Sequence, residues 1–134
     1  NLPLRKACSL TQGNDLTIIT YGAPVHKALE IIKNRDAYTF DLIDLRSLCP
    51  LDKDSIISSV KKTGKAIILQ EDSMFGGLAS EISSIIMENC FEYLDAPVIR
   101  VASLDTPIPF EKSLEDQYLP YDRFEVELDK LLNY

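Results

Sequence analysis

The chain has 134 residues, 46% of them hydrophobic and 26% charged, the balance of one globular domain with enough apolar material for a core. Its formal net charge of −7 argues against non-specific binding to nucleic acid or to an anionic membrane, both of which need basic surface. It leaves basic protein partners open. No apolar run approaches the ~18 residues needed to span a bilayer.

The chain opens on Asn1-Leu2-Pro3-Leu4, without an initiator Met, and is read as a piece of a longer chain. No charged-then-apolar leader is visible. Residues 4–10 are short and mixed and are expected as an edge strand. Gln12-Gly13-Asn14-Asp15 is a turn signal. Leu16-Thr17-Ile18-Ile19-Thr20-Tyr21 is β-branched and apolar on both faces, as a central parallel strand should be. Gly22-Ala23 leads to Pro24, which suits the first turn of a helix. Val25, Ala28, Leu29 and Ile32 follow at helical spacing and form its inner face.

Phe40-Asp41-Leu42-Ile43-Asp44-Leu45 is the next strand. Asp52 is a good N-cap for a helix whose apolar face is Ile56, Ile57 and Val60. Lys61 and Lys62 complement the C-terminal dipole of that helix, and Gly64 closes it. Ala66-Ile67-Ile68-Leu69 reads as a buried strand, followed by a helix with Leu78, Ile82, Ile85 and Ile86 inward. Pro97-Val98-Ile99-Arg100-Val101 is the last strand. Residues 103–120 hold three of the seven prolines and have no clean period. A final helix carries Phe124, Leu128, Leu131 and Leu132 as its stripe. Strand, then helix and strand repeated, implies a parallel sheet covered on both faces by right-handed crossovers.

The stretch from Gln70 to Ile82 draws the functional reading, because the carboxyl end of a strand in an α/β sheet is where sites are built. Glu71 and Asp72 could form an acid–base pair, since close like charges drive pKa values apart. An exposed loop, or charges meeting a neighbouring subunit, is the plainer use. Gly76-Gly77 ahead of a helix could cradle a phosphate. However, neither G-x-G-x-x-G nor a following Lys-Ser/Thr is present, and the preceding carboxylates would repel an anion. His26, the only histidine, has nothing near it in sequence to orient it as a base and reads as structural. Asp44-Leu45-Arg46 reads as an ion pair at a strand end. Cys8, Cys49 and Cys90 lack zinc-ligand spacing and read as reduced thiols. No catalytic, cofactor-binding or metal-ligating set can be assembled from these residues.

Taken in order, the motifs resemble a family. They are Pro3-Leu4-Arg5-Lys6-Ala7, Gly13-Asn14-Asp15-Leu16-Thr17, Tyr21-Gly22 with Val25-His26, and Asp44-Leu45-Arg46-Ser47-Leu48 with Pro50 and Asp52. Then come Ser59-Val60-Lys61-Lys62-Thr63-Gly64, Phe75-Gly76-Gly77, Ala79-Ser80-Glu81-Ile82 and Leu94-Asp95-Ala96-Pro97. Arg100-Val101, Asp105-Thr106-Pro107-Ile108-Pro109 and Tyr118-Leu119-Pro120 complete the series. The chain resembles the C-terminal, transketolase-type domain of the beta subunit of thiamine-diphosphate-dependent 2-oxoacid dehydrogenases, over residues 1–134 as one domain. Asp105-Thr106-Pro107, Tyr118-Leu119-Pro120 and Ala79-Ser80-Glu81-Ile82-Ser83-Ser84 look most like the branched-chain (2-oxoisovalerate) enzymes. Leu114-Glu115-Asp116 is similar to the pyruvate enzymes.

The resemblance implies a three-layer α/β/α fold on a five-stranded, mixed, mostly parallel sheet, with an edge strand near residues 6–9 antiparallel to the other four. It also implies that thiamine diphosphate and Mg belong to the whole enzyme and that this domain, inactive alone, holds neither. The implied partners are an alpha subunit or domain, a second beta subunit, and the subunit-binding domain of the lipoyl acyltransferase. Nucleic acid and membrane are not among them. The implied subunit-interface residues are Glu71, Asp72, Phe75, Gly76, Gly77 and Glu81. Those implied for docking of the acyltransferase are Glu115, Asp116 and Tyr134. The compartment would be the bacterial cytoplasm or the mitochondrial matrix. Two other readings stand beside this one: a stand-alone interaction module, and a small independent enzyme using Glu71, Asp72 and His26.

Overall fold

The structure is a computed structural model that describes residues 6–46, 51–73, 77–103 and 119–134. Its strands are β1 (Cys8–Thr11), β2 (Leu16–Thr20), β3 (Phe40–Asp44), β4 (Ala66–Ser73) and β5 (Ile99–Ser103). Its helices are α1 (Pro24–Ile32), α2 (Lys53–Thr63), α3 (Ala79–Cys90) and α4 (Tyr121–Leu132), with a short 3-10 turn at Phe91–Tyr93. The five strands form one sheet in the order β1-β3-β2-β4-β5. β2, β3, β4 and β5 are parallel, and β1 runs antiparallel to β3 at one edge. The three-layer arrangement expected from the sequence is the one observed, with the edge strand at residues 8–11 rather than 6–9.

Two cores flank the sheet. Alternation along each strand sends Leu16, Ile18, Leu42, Ile67, Leu69 and Val101 toward α1 and α4, where they meet Ala28, Ile31, Phe124, Leu128 and Leu131. It sends Ile19, Ile43, Ile68 and Leu45 to the opposite side, against Ile56 and Val60 of α2 and Ile82 and Ile86 of α3. The buried face of α1 is turned slightly from the expected one. Ile31 is core, whereas Leu29 and Ile32 are only partly buried. β5 starts at Ile99 rather than Pro97, whose missing amide cannot join a ladder.

The helix ends follow the local chemistry. The Asp52 carboxylate accepts from the Ser55 backbone N–H at 3.2 Å and caps α2. Gly64 ends α2 in the left-handed region, φ 76°, and donates its N–H to the Val60 carbonyl. A bridge unites the amino ends of the strands with α2. The Thr17 hydroxyl lies 2.7 Å from both the Ser59 and the Thr63 hydroxyls, and Ser59 donates to the buried Asp41 carboxylate.

Candidate functional site

β2 and β4 are neighbours, but the helices that follow them leave to opposite faces, α1 on one side and α3 on the other. Their carboxyl ends therefore form the topological switch of the sheet, where a crevice opens in folds of this kind. Side chains from three elements converge there. Glu71, one alternation beyond Leu69, points to the α1/α4 face. It accepts a hydrogen bond of 2.5 Å from the phenol of Tyr121, the first residue of α4. Burial raises the Tyr121 phenol well above its ordinary pKa, and the Glu71 carboxylate adds to the shift. The Lys27 ammonium of α1 stands 5.7 Å from the Tyr121 ring centroid. A cleft of about 270 Å³ opens between Lys27, Leu119, Tyr121 and Asp122. Arg123 donates to the Ala102 carbonyl and so ties α4 to the end of β5.

Gln70 points to the other face and is fully buried. Its Oε1 accepts from the Ala79 N–H at 2.9 Å. This cap comes from a strand side chain, and Leu78, at the N-cap position, makes no side-chain cap of its own. Two buried hydroxyls at this end, Thr20 Oγ1 and Ser103 Oγ, have no hydrogen-bond partner among the described residues.

Glu71 is thus half-buried and engaged within the chain, rather than free as one of an acid–base pair. Glu81 is exposed in the first turn of α3, and Gly77 lies just ahead of that helix. Phe75, Gly76, Glu115 and Asp116 lie outside the described residues, and only the backbone of Asp72 is described. His26 is exposed on α1, apart from this cluster. Asp44 and Arg46 are paired at 3.8 Å.

Tyr134 is 71% exposed and is not brought near Glu71. α4 starts beside Glu71 and ends where Lys65, just ahead of β4, donates to the Leu131 carbonyl at 2.8 Å. Its 12 residues span about 18 Å, so Tyr134 belongs to the opposite edge of the sheet. Sequence reasoning missed Tyr121, Gln70 and Lys27. The one available signal was Pro120 directly before an apolar stripe, which marks Tyr121 as a helix start.

The described residues do not fit a diphosphate–metal cofactor. Among them no three His, Cys, Asp or Glu side chains come together. At the start of α3 the Ala79 N–H is committed to Gln70, and Glu81 adds negative charge. The arrangement can hold the strand ends and the first turns of α3 and α4 in fixed relation, which is the chemistry of a scaffold for contact.

A doubly covered, mostly parallel sheet with one antiparallel edge strand defines an α/β/α domain. The chain belongs to the transketolase C-terminal domain family, which it matches over residues 5–123. It is 38% identical to the pyruvate dehydrogenase E1 component subunit beta of Rickettsia felis, over 99% of this chain and 41% of that protein. It is 37% identical to the 2-oxoisovalerate dehydrogenase subunit beta of Bacillus subtilis, over 99% and 42%. The mitochondrial 2-oxoisovalerate dehydrogenase subunit beta of Dictyostelium discoideum is 42% identical over 83% of this chain and 31% of that protein. A solved split-gene transketolase, an inactive beta4 tetramer, matches with a TM-score of 0.80 at 27% identity, over 98% of this chain and 43% of its own. The chain therefore spans between about a third and two-fifths of the length of these curated relatives.

Proposed function

We propose that this chain is the C-terminal assembly and docking domain of a 2-oxoacid dehydrogenase beta subunit. The whole enzyme decarboxylates a branched-chain 2-oxoacid oxidatively on thiamine diphosphate and Mg²⁺ and transfers the acyl group to lipoyl. The observation that carries this reading is 37–38% identity to dehydrogenase beta subunits, aligned over 99% of the chain. The engagement of Glu71 and Gln70 within the fold supports a contact role for the carboxyl edge. In this reading the catalytic steps and the cofactor belong to the rest of the enzyme. Glu71, Asp72, Phe75, Gly76, Gly77 and Glu81 form the edge that meets the alpha subunit or the second beta subunit. Glu115, Asp116 and Tyr134 form the face for the acyltransferase. The compartment is the bacterial cytoplasm or the mitochondrial matrix.

A second reading, the same domain of a pyruvate or acetoin enzyme, is favoured by Leu114-Glu115-Asp116 and by relatives of those kinds. The test is to assemble the complete beta subunit with its alpha subunit and compare kcat/KM for 2-oxoisovalerate, pyruvate and acetoin. Preference for 2-oxoisovalerate supports the branched-chain reading. Preference for pyruvate or acetoin replaces it with the second, and absence of turnover with all three removes both.

A further inference from the structure

α2 presents two different stripes to the sheet. Ile56 and Val60 pack in the core shared with α3. Beside them, Ser55, Ser58, Ser59 and Lys62 share one helical face by their spacing and are polar throughout. That face looks across to the outer strands, where Ser9 of β1 and Asp41 of β3 line the other wall, with Gln12 at the end of β1. Between them lies a cleft of about 330 Å³, within the lower range of sites for small molecules. It sits at the amino ends of the strands, since Asp41 is in register with Thr17 at the start of β2. It is therefore remote from Glu71 and Tyr121.

Asp41 sets the chemistry. Its side chain is 7% exposed and stands 3.2 Å from the Lys62 ammonium. Oδ2 also accepts from the Ser59 hydroxyl. Oδ1 is fully buried, without a hydrogen-bond partner among the described residues. The wall holds one carboxylate and one ammonium, already paired. A free anion would meet Asp41, and a free cation would meet Lys62. Serine hydroxyls both donate and accept, so they match a ligand that does the same. We propose that this cleft binds a small neutral polyhydroxy compound, of glycerol to hexose size. Its hydroxyls exchange hydrogen bonds with Ser55 and Ser58 and accept from Lys62, beside the Asp41 side chain that lines the cleft. This assignment does not depend on the function proposed above.

The test is a titration of the full chain with glycerol, D-ribose and D-glucose, followed by amide NMR shifts. Glycerol phosphate and ethanolamine serve as charged controls. Saturable shifts at Ser9, Ser55 and Ser58 with a neutral polyol, and weaker binding of both controls, are expected. Ser58→Ala, at an exposed position outside the buried hydroxyl bridge, should weaken the polyol about fivefold, the worth of one neutral hydrogen bond. Asp41→Asn should weaken it about tenfold or more. If that variant fails to fold, Ser58→Ala decides alone. Shifts that never saturate, tighter binding of a charged control, or a Ser58→Ala chain that binds like the parent would each overturn the proposal.

Discussion

Gly13 stands where no side chain fits. A Cβ there would come within 2.3 Å of the Phe40 nitrogen and of the Thr39 carbonyl carbon. These are backbone atoms, and the turn cannot yield, because Asp15 and Thr39 clasp each other. The Asp15 carboxylate accepts from the Thr39 N–H at 2.6 Å and from its hydroxyl at 3.1 Å, and the Asp15 N–H donates to the Thr39 carbonyl at 3.0 Å. Gly13→Ala is expected to cost about 3 kcal/mol, read as a lower urea midpoint at unchanged slope. Asp52 works differently. Burial alone would raise the pKa of its carboxyl, but hydrogen bonds from the Ser55 hydroxyl and from the Ala7 and Ser55 N–H groups outweigh burial and lower it. A lowered carboxylate contributes stability that is complete above its unfolded pKa and is lost as pH falls through the folded value. Asp52→Ala should therefore cost about 1–2 kcal/mol at neutral pH. Its deficit against the parent should shrink below about pH 4, measured by denaturation across pH. Unequal loss at neutral pH and in acid is the signature to look for.

Among elements, α4 is held at both ends and in the middle. Tyr121 anchors its start on Glu71, and Lys65 covers its last carbonyls through Leu131. Arg35 forks onto Asp129 at 2.8 and 3.0 Å, with Glu125 3.5 Å away. The fork raises the Arg35 pKa and lowers that of Asp129. Tyr121→Phe should leave the Glu71 carboxylate short of a donor and cost about 1–2 kcal/mol. The pH signature has the opposite sign to that of Asp52. A phenol whose folded pKa is raised contributes stability that is full below its unfolded pKa near 10. That stability is lost as pH rises through the higher folded value. The gap between parent and Tyr121→Phe should close as pH climbs past the unfolded value, in alkaline denaturation followed by circular dichroism. A gap that stayed constant would show that the phenol does not titrate with folding. The elements themselves were legible in the chain. The β-branched, mostly apolar run Leu16-Thr17-Ile18-Ile19 announced a central strand, and Asp52 with Gly64 announced both ends of α2. The pins of α4 were not legible, because Arg35 and Asp129 lie 94 residues apart and Tyr121 and Glu71 lie 50 apart. Nothing local in either partner encodes the meeting. The same holds for the candidate site: the Glu71 position was visible, but its partner, and the turn of Gln70 onto α3, are consequences of tertiary packing.

At the scale of the whole molecule, α4 separates two edges. Gly77 lies at the carboxyl edge, just ahead of α3. Gly77→Val tests contact at that edge. It should reduce assembly with the alpha subunit, seen by analytical ultracentrifugation, while the domain keeps its thermal transition. Lost stability with intact assembly would make that glycine structural. Residues 111–134 carry seven carboxylates against three cations, which accounts for −4 of the chain's −7. Complementary charge mainly speeds encounter, and salt screens it. Glu115→Lys with Asp116→Lys should slow association with the acyltransferase and flatten its salt dependence. Equal rates at low and moderate salt would remove both from the docking face. The antiparallel course of β1 has a further consequence. Cys8 pairs with Asp44 and Thr11 with Leu42, so β1 begins at the end of the sheet where the parallel strands finish. Lys6, ahead of β1, is consequently at the end of the sheet that carries the switch point, two strands away from it. A short tether at such a place holds a neighbour at an effective concentration on the order of millimolar. Contacts at that end can then be individually feeble and still be occupied nearly all of the time.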